Sequence, residues 1–265
     1  MSLEILTHPP SGPLRPAPLL FVHGAFVAAW CWAEHFLPWF AARGWEAHAL
    51  SLRGHGASAG RESLDFASID HYVADVVTAA RTLERPPVLI GHSMGAIVVQ
   101  RAARRVGAPA MALLAPVPPY GLGGSLLTLA LRDTPLFFAL NAMQLGGDDA
   151  PALRRVRDYL FSESVTESDV YRHLRRTQRE SQRALLDLAW PQQLWIRDSA
   201  GLPALVVGAA DDAFFTEPMI EETARFHGVE AKIFEGIAHA MMLEPEWEKV
   251  AGHVHAWLEE RIMQT

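Results

Sequence analysis

Short apolar runs recur along the chain, separated by longer stretches with helical spacing. The runs at 19–22 (LLFV), 46–50 (EAHAL), 88–90 (VLI), 110–115 (AMALLA), 204–207 (ALVV) and 231–234 (AKIF) predict strands. Several are apolar throughout, as expected where both faces of a parallel sheet are covered. Residues 3–7 add an edge strand. Between the runs, 69–83 places Ile69, Val73, Val76 and Ala80 on one helix face, and 95–106 opens with small and apolar residues. Residues 218–227 begin with Pro218 behind Thr216 and Glu217, a helix-start composition. Residues 245–263 carry Trp247, Val250, Val254, Trp257 and Leu258 as an apolar stripe. Strands alternating with helices predict βαβ units and a mainly parallel α/β sheet flanked by helices.

One stretch breaks the alternation. From 118 to 199 no strand is predicted, whereas 126–142, 152–161 and 168–189 read as helical. Thr166, with Asp169 three residues on, resembles a helix-capping arrangement. A stretch of roughly 80 residues is too long for a bare loop in a compact domain. The expected organisation is a first core part at 1–117, a helical lid at 118–199 and a second core part at 200–265, the competing reading of 118–199 being an extra helical layer on the same core.

Composition narrows the class. Of 265 residues half are hydrophobic and 20% charged, which is globular rather than disordered. A net charge of −7 gives no electrostatic pull toward nucleic acid or an anionic membrane. The single cysteine, Cys31, makes no internal disulfide and no cysteine-type zinc site, and fits a reducing compartment. An early Glu4 and several prolines argue against a signal peptide. The apolar region 122–143 is interrupted by Arg132, Asp133 and Pro135, short of the roughly 20 apolar residues of a membrane span. The expectation is a soluble cytoplasmic protein with no integral membrane segment.

The chemistry concentrates at a few points. Gly91-His92-Ser93-Met94-Gly95 is a G-x-S-x-G with an apolar strand before it and a small-residue helix after it, the context of a nucleophile elbow. The competing reading is an ordinary strand-to-helix turn whose serine caps the helix. A serine hydroxyl needs a general base. Of twelve histidines, His239 is the best placed, between the last strand and the final helix. His253 and His255, two apart on that helix, read as surface residues; His8, His35, His48, His71, His173 and His227 have no motif around them. The histidine in turn needs an acid to hold its tautomer. Asp211 and Asp212 stand together beyond the penultimate strand, and give the order Ser, Asp, His. Groups at the ends of several strands fit the rule that α/β sheets bind ligands at their carboxyl edge.

These motifs together resemble the α/β-hydrolase fold superfamily, in its lid-bearing branch of serine esterases and lysophospholipase-like enzymes, over nearly the whole chain. Phe21-Val22-His23-Gly24-Ala25 resembles the family's His-Gly segment. Leu52-Arg53-Gly54-His55-Gly56-Ala57-Ser58 is similar to its R-G-H-G-x-S loop, and Gly236-Ile237-Ala238-His239 to its histidine loop. Asp212-Ala213-Phe214-Phe215 looks like its acid loop. The spacing from Gly208 in many relatives selects Asp211, while the apolar pair Phe214-Phe215 selects Asp212; the pair is given precedence because such residues pack beneath the acid loop. Ala96 stands where relatives often have a second glycine. The resemblance implies a lid inserted after the sixth core strand, and an oxyanion hole from the backbone N–H groups of Ala25 and Met94. It makes His23 a hydrogen-bonded scaffold residue, His92 a neighbour of the nucleophile, and Arg53 and His55 stabilisers of their loop.

The implied reaction is acyl transfer through Ser93, His239 and Asp212, with a small-molecule ester as substrate and no metal or organic cofactor. A serine at the elbow argues against the dehalogenase and epoxide hydrolase relatives, which place an aspartate there. Phe26, Trp30 and Trp32, with Leu136, Phe137 and Phe138, read first as core packing and second as an apolar pocket beside the nucleophile. Arg154, Arg155, Arg157, Arg172, Arg175, Arg176, Arg179 and Arg183 make the second half of the lid basic, which reads first as a solvated helix face and second as a head-group site. Two further readings keep the triad: carbon–carbon bond or peroxide chemistry, and a ligand receptor with vestigial hydrolysis.

Overall fold

The computed structural model describes residues 1–124, 134–135 and 156–262. Within them, seven strands form one sheet in the order β1-β3-β2-β4-β5-β6-β7. They are β1 (Ile5–His8), β2 (Leu19–Val22), β3 (Ala47–Leu50), β4 (Val88–His92), β5 (Met111–Leu114), β6 (Ala204–Ala209) and β7 (Ala231–Phe234). Only the β1–β3 pair is antiparallel; every other neighbour is parallel. Every residue of β2, β3, β4, β5 and β6 is buried, because helices cover both faces. The edge strand β7 is only half-buried.

The order carries the functional geometry. The chain lays β3 on one side of β2 and then returns to place β4 on the other. The carboxyl ends of β2 and β4, with Val22 opposite Gly91, therefore flank the point where the winding reverses. Such a switch point opens a crevice in which α/β proteins bind ligands.

Helix Ile69–Ala80 starts at Ser68, whose hydroxyl accepts from the His71 N–H at 3.2 Å while the His71 ring accepts from the Ser68 N–H at 3.1 Å. It ends three residues before the sequence pattern does. Helix Met94–Val106 stops at Gly107, whose φ of +65° suits a left-handed cap. The short helices Trp30–Ala33 and Phe36–Ala41 have no sequence counterpart above. They deliver Trp32, Phe36 and Phe40 onto Phe21 of β2, with ring centroids 5.0 to 6.2 Å apart.

The final helix, Trp247–Ile262, buries Val250, Val254 and Leu258 as its stripe predicts. Its two histidines correct the sequence reading. His255 Nδ1 accepts from Trp45 Nε1 at 3.1 Å, and the His253 ring meets Phe234 edge-on at 5.8 Å. Both are half-buried, because the helix lies against β7 and the aromatic residues near β3 rather than in solvent.

The region 118–199 follows β5, the fifth strand of this chain, rather than the sixth. Its described residues hold helices Glu167–Leu174, Gln182–Ala189 and Gln193–Ile196, and no strand. Thr166 caps the first as expected, accepting from the Asp169 N–H at 3.2 Å. The continuous helix predicted at 168–189 is broken, since residues 175–181 leave the helical path and Ser181 caps a new helix by accepting from the Ala184 N–H. The predicted helix 126–142, apart from 134–135, lies outside the described residues, as do 152–155 of the next. Leu136, Phe137, Phe138, Arg154 and Arg155 also lie outside them. Among the described residues no helix is long and apolar enough to cross a membrane.

Candidate active site

Strand β4 runs straight into Ser93, whose φ of 53° and ψ of −118° place it in a sparsely populated region. Such a conformation is strained by about 1–3 kcal/mol and persists only where its surroundings enforce it. The Ser93 N–H donates to Leu114 O at 3.0 Å, and its carbonyl accepts from Ala96 N–H at 3.0 Å. Glycine is required on both sides. A Cβ on Gly91 would lie 2.5 Å from Gly95 O, and one on Gly95 would lie 2.5 Å from both Val22 O and His23 O. Ser93 makes no side-chain capping bond, so the helix-cap reading falls.

The histidine and acid loops meet beside this turn. His239 Nδ1–H donates to Asp212 Oδ2 at 2.7 Å. The other oxygen of Asp212 accepts from the N–H groups of Phe214 and Phe215, at 2.8 and 2.9 Å. The Phe214 and Phe215 rings stand edge-on to His239, with centroids 5.1 and 5.2 Å away. Asp212 is buried while Asp211 is exposed, and Asp211 contributes its backbone N–H to Ile237 O at 3.1 Å. The structure thus gives His239 to Asp212.

His92 links that pair to the elbow. Its Nε2–H donates to the backbone carbonyl of His239 at 2.9 Å, and the two rings lie 4.7 Å apart. Burial and the neighbouring His239 push the His92 pKa well below the usual histidine value, so the ring is neutral. Its Nδ1 has no hydrogen-bond partner among the described residues.

On the other side lies the His-Gly segment. A Cβ on Gly24 would sit 2.9 Å from His92 Nδ1 and 3.1 Å from Ser93 Cβ, so only glycine lets the chain pass this close to the elbow. His23 Nδ1 lies 2.7 Å from Gly24 O, and its Nε2 lies 3.0 Å from the Leu52 N–H. A carbonyl needs a donor and an N–H needs an acceptor, which assigns the proton to Nδ1. Burial, with a smaller effect from nearby His55, lowers the His23 pKa to about 3 and keeps the ring neutral. Among the described residues neither the Ala25 nor the Met94 N–H donates a hydrogen bond within the chain.

Arg53 closes its loop through a bidentate pair with buried Asp75, its Nε and Nη2 donating at 2.6 to 3.1 Å. His55 reaches Glu180 at 3.1 Å. The candidate aromatic pocket divides. Trp32 is core, packed on Phe21, Phe36 and the edge of His92. Trp30 is half-buried, stacked on His173 and covered by the Arg176 guanidinium 4.1 Å above its ring. The described arginines of 118–199 mostly pair on the surface: Arg172 and Arg176 with Glu34, Arg179 with Asp65, Arg183 with Asp187, and Arg157 with Asp158. The described part of the basic stretch is a solvated, ion-paired face.

The second flank of the site rests on residues that the sequence pattern does not single out. Ala240 N–H donates to Leu160 O at 2.8 Å, and buried Glu244 accepts from the N–H and the hydroxyl of Ser162, at 2.7 and 2.6 Å. Both contacts fasten the chain just after His239 to the region 118–199. Among the described residues no group of three or more His, Cys, Asp or Glu is placed to hold a metal ion.

A parallel sheet with a strained serine after β4, an acid after β6 and a histidine after β7 defines a class. The chain belongs to the alpha/beta hydrolase family, whose model matches residues 19–252. Among curated proteins none matches the chain. Solved structures are similar over nearly its full length. A bromoperoxidase from Bacillus anthracis shares 16% identity with a TM-score of 0.74, over 97% of this chain and 95% of that one. A monoacylglycerol lipase from Paleococcus ferrophilus shares 18%, with a TM-score of 0.72 over 98% and 100%. A thermophilic esterase from Thermogutta terrifontis shares 18%, with a TM-score of 0.70 over 98% and 94%. At such identities the likeness is one of fold.

Proposed function

We propose that this chain is a serine hydrolase of carboxylic esters, working through an acyl-enzyme on Ser93. The observation that carries the reading is the Asp212–His239 hydrogen bond, held against the elbow by His92. Ser93 Oγ attacks the ester carbonyl as His239 Nε2 takes its proton. Asp212 holds the Nδ1–H and stabilises the imidazolium that forms. The negative oxygen of the tetrahedral intermediate is received by the N–H groups of Ala25 and Met94, a type of contact typically worth about 3–4 kcal/mol. His239 then gives the proton to the leaving alcohol. Water repeats the sequence, and the acid departs as Ser93 regains its hydrogen. Every step uses groups of the chain, with no cofactor.

The described helices of residues 118–199 act as a lid over this crevice. The half-buried Phe26 and Trp30 beside the His-Gly segment suit an apolar acyl group, as in a lysophospholipid or monoacylglycerol. The lipase among the structural neighbours supports that direction. The bromoperoxidase neighbour favours one second reading, in which hydrogen peroxide replaces water. Peroxide then attacks the acyl-enzyme, a peracid leaves, and Ser93 is restored.

The test is turnover of p-nitrophenyl esters from acetate to palmitate, with Ser93→Ala as control and peracid assayed after peroxide is added. Turnover reduced by about five to six orders of magnitude in Ser93→Ala is expected, and the preferred chain length sizes the acyl pocket. Turnover that survives Ser93→Ala refutes the mechanism. Peracid formed faster than acid at equal peroxide and ester concentration selects the second reading.

A further inference from the structure

The segment between helices Glu167–Leu174 and Gln182–Ala189 is pressed onto the outer side of the His-Gly segment. We propose that Gln178 and Glu180 are positioning residues for the oxyanion-binding peptide, fixing Gly24–Ala25 from two sides: through Phe26, and through the His55–His23 pair. This rests on the hydrolase reading, in which the Ala25 N–H receives the developing charge.

A peptide unit is planar, so the carbonyl of residue 24 and the N–H of residue 25 point in opposite directions. Whatever holds Gly24 O therefore aims the Ala25 N–H. His23 Nδ1–H does this at 2.7 Å. On the far side of Ala25, Phe26 sits at φ +66°, a conformation a bulky residue adopts only under constraint. Gln178 supplies one, its backbone N–H donating to Phe26 O at 2.8 Å.

The Gln178 side chain spends both ends on the neighbouring loop. Its Oε1 accepts from the Gly56 N–H and its Nε2 donates to Gly54 O, each at 3.0 Å. Between those two glycines stands His55. Its Nδ1 faces Arg53 O at 3.0 Å and its Nε2 faces a carboxylate oxygen of Glu180 at 3.1 Å. Both partners accept, so both ring nitrogens donate and His55 is a buried cation. The raised His55 pKa and the lowered Glu180 pKa agree with that charge state, each driven by the other charge against burial. Tyr72 Oη and the Ser181 N–H donate to the second oxygen of Glu180, at 2.5 and 2.7 Å. The His55 ring lies 5.0 Å from His23.

Removing the carboxylate at 180 takes away the acceptor of the His55 Nε2–H and the counter-charge of the cation, and the loop on which both His23 and Gln178 rest loosens. A misplaced oxyanion donor harms the transition state and spares the ground state.

The experiment compares Glu180→Ala and Gln178→Ala with the unaltered protein. It reads kcat and KM on p-nitrophenyl butyrate, inhibition by phenylboronic acid (a tetrahedral adduct of Ser93), and the melting temperature. Expected is a fall in kcat of about 10- to 100-fold with KM within about threefold, and boronate inhibition weakened by a similar factor. Folded variants that keep kcat within about twofold overturn the proposal, as does a fall in kcat with boronate affinity intact. If Glu180→Ala does not fold, Gln178→Ala decides on the same criteria. Turnover in the unaltered protein that does not depend on Ser93 overturns the hydrolase reading and this proposal together. Ser93-dependent turnover indifferent to both variants overturns this proposal alone.

Discussion

The two flanks of the site are built on different physics. On the elbow flank, the ends of β2 and β4 are fixed by backbone sterics: Gly24, Gly91 and Gly95 each stand where a Cβ has no space, and His23 and His92 are buried and neutral. On the flank facing residues 160–181, side chains do the fastening. Glu244 holds Ser162, Gln178 holds Gly54 and Gly56, and Glu180 holds the cation of His55. Sterics tolerate no substitution and leave a pattern of small residues. Side-chain bonds tolerate several chemistries and leave none.

The acid–histidine pair sits between the flanks and gives the largest expected effect outside Ser93. Asp212→Asn keeps the shape but can no longer favour the proper histidine tautomer, so kcat/KM is expected to fall by about 10⁴-fold. Asp211→Asn removes an exposed carboxylate whose described role is a backbone N–H, and is expected to change activity less than about threefold. Steady-state ester kinetics on both variants check this. Equal losses at the two positions would sink the assignment of the acid.

Much of this was legible in the sequence, and the legible part follows the division between flanks. G-x-S-x-G was readable because the elbow admits only glycine at 91 and 95. The central strands were readable because burial on both faces makes several of them apolar throughout. Asp212 was harder, since spacing alone favoured its neighbour; in the structure it is Asp212 that is buried, meets His239 and holds two N–H groups on its second oxygen. Gln178 and Glu180 were invisible, because a lone polar residue on a predicted helix reads as solvated, and Glu244, one residue before the helix predicted at 245–263, carried no pattern of its own. One signal was present. Ser181, a good N-cap, interrupts the helical pattern at 168–189, and the residues just before it are the ones that reach the core.

Gly95→Ala tests the steric flank directly. Its Cβ would overlap two backbone carbonyl oxygens that β2 cannot move, so a loss of about 3 kcal/mol in unfolding free energy is expected. Gly252→Ala is the contrast, in the helix Trp247–Ile262 with nothing within 4 Å of the new methyl. It is expected to gain about 0.5–1 kcal/mol, as alanine does over glycine inside a helix. Urea unfolding of both proteins measures the difference. A Gly95→Ala protein as stable as the parent would mean that the elbow yields, and that side-chain bonds hold both flanks.

The smallest effect separates the neutral imidazoles from the charged one by pH. Burial lowers His23 to about 3 and His173 and His227 to about 4, against an ordinary value near 6.5 when unfolded. Below pH 6.5 the unfolded chain takes up protons that these rings refuse, so their contribution to stability is lost as pH falls toward 4. The slope is at most about 1.4 kcal/mol per pH unit for each ring. His55 has the opposite sign: its pKa is raised, so its contribution is whole below 6.5 and is lost only as pH rises through the folded value. Lowered Glu180 holds its contribution down to about pH 4.5, while Glu244, raised by burial, regains a little stability on acidification. Between pH 6.5 and 4.5 the neutral rings therefore dominate, and the urea midpoint should fall steadily. His227→Gln isolates one of them, because the amide can still meet Gln100 Oε1, 2.8 Å from Nε2, without titrating. Its midpoint should decline less steeply over the same interval, by up to one ring's share. An unchanged slope would show that His227 titrates normally in the folded chain, and that burial there does not keep the ring neutral.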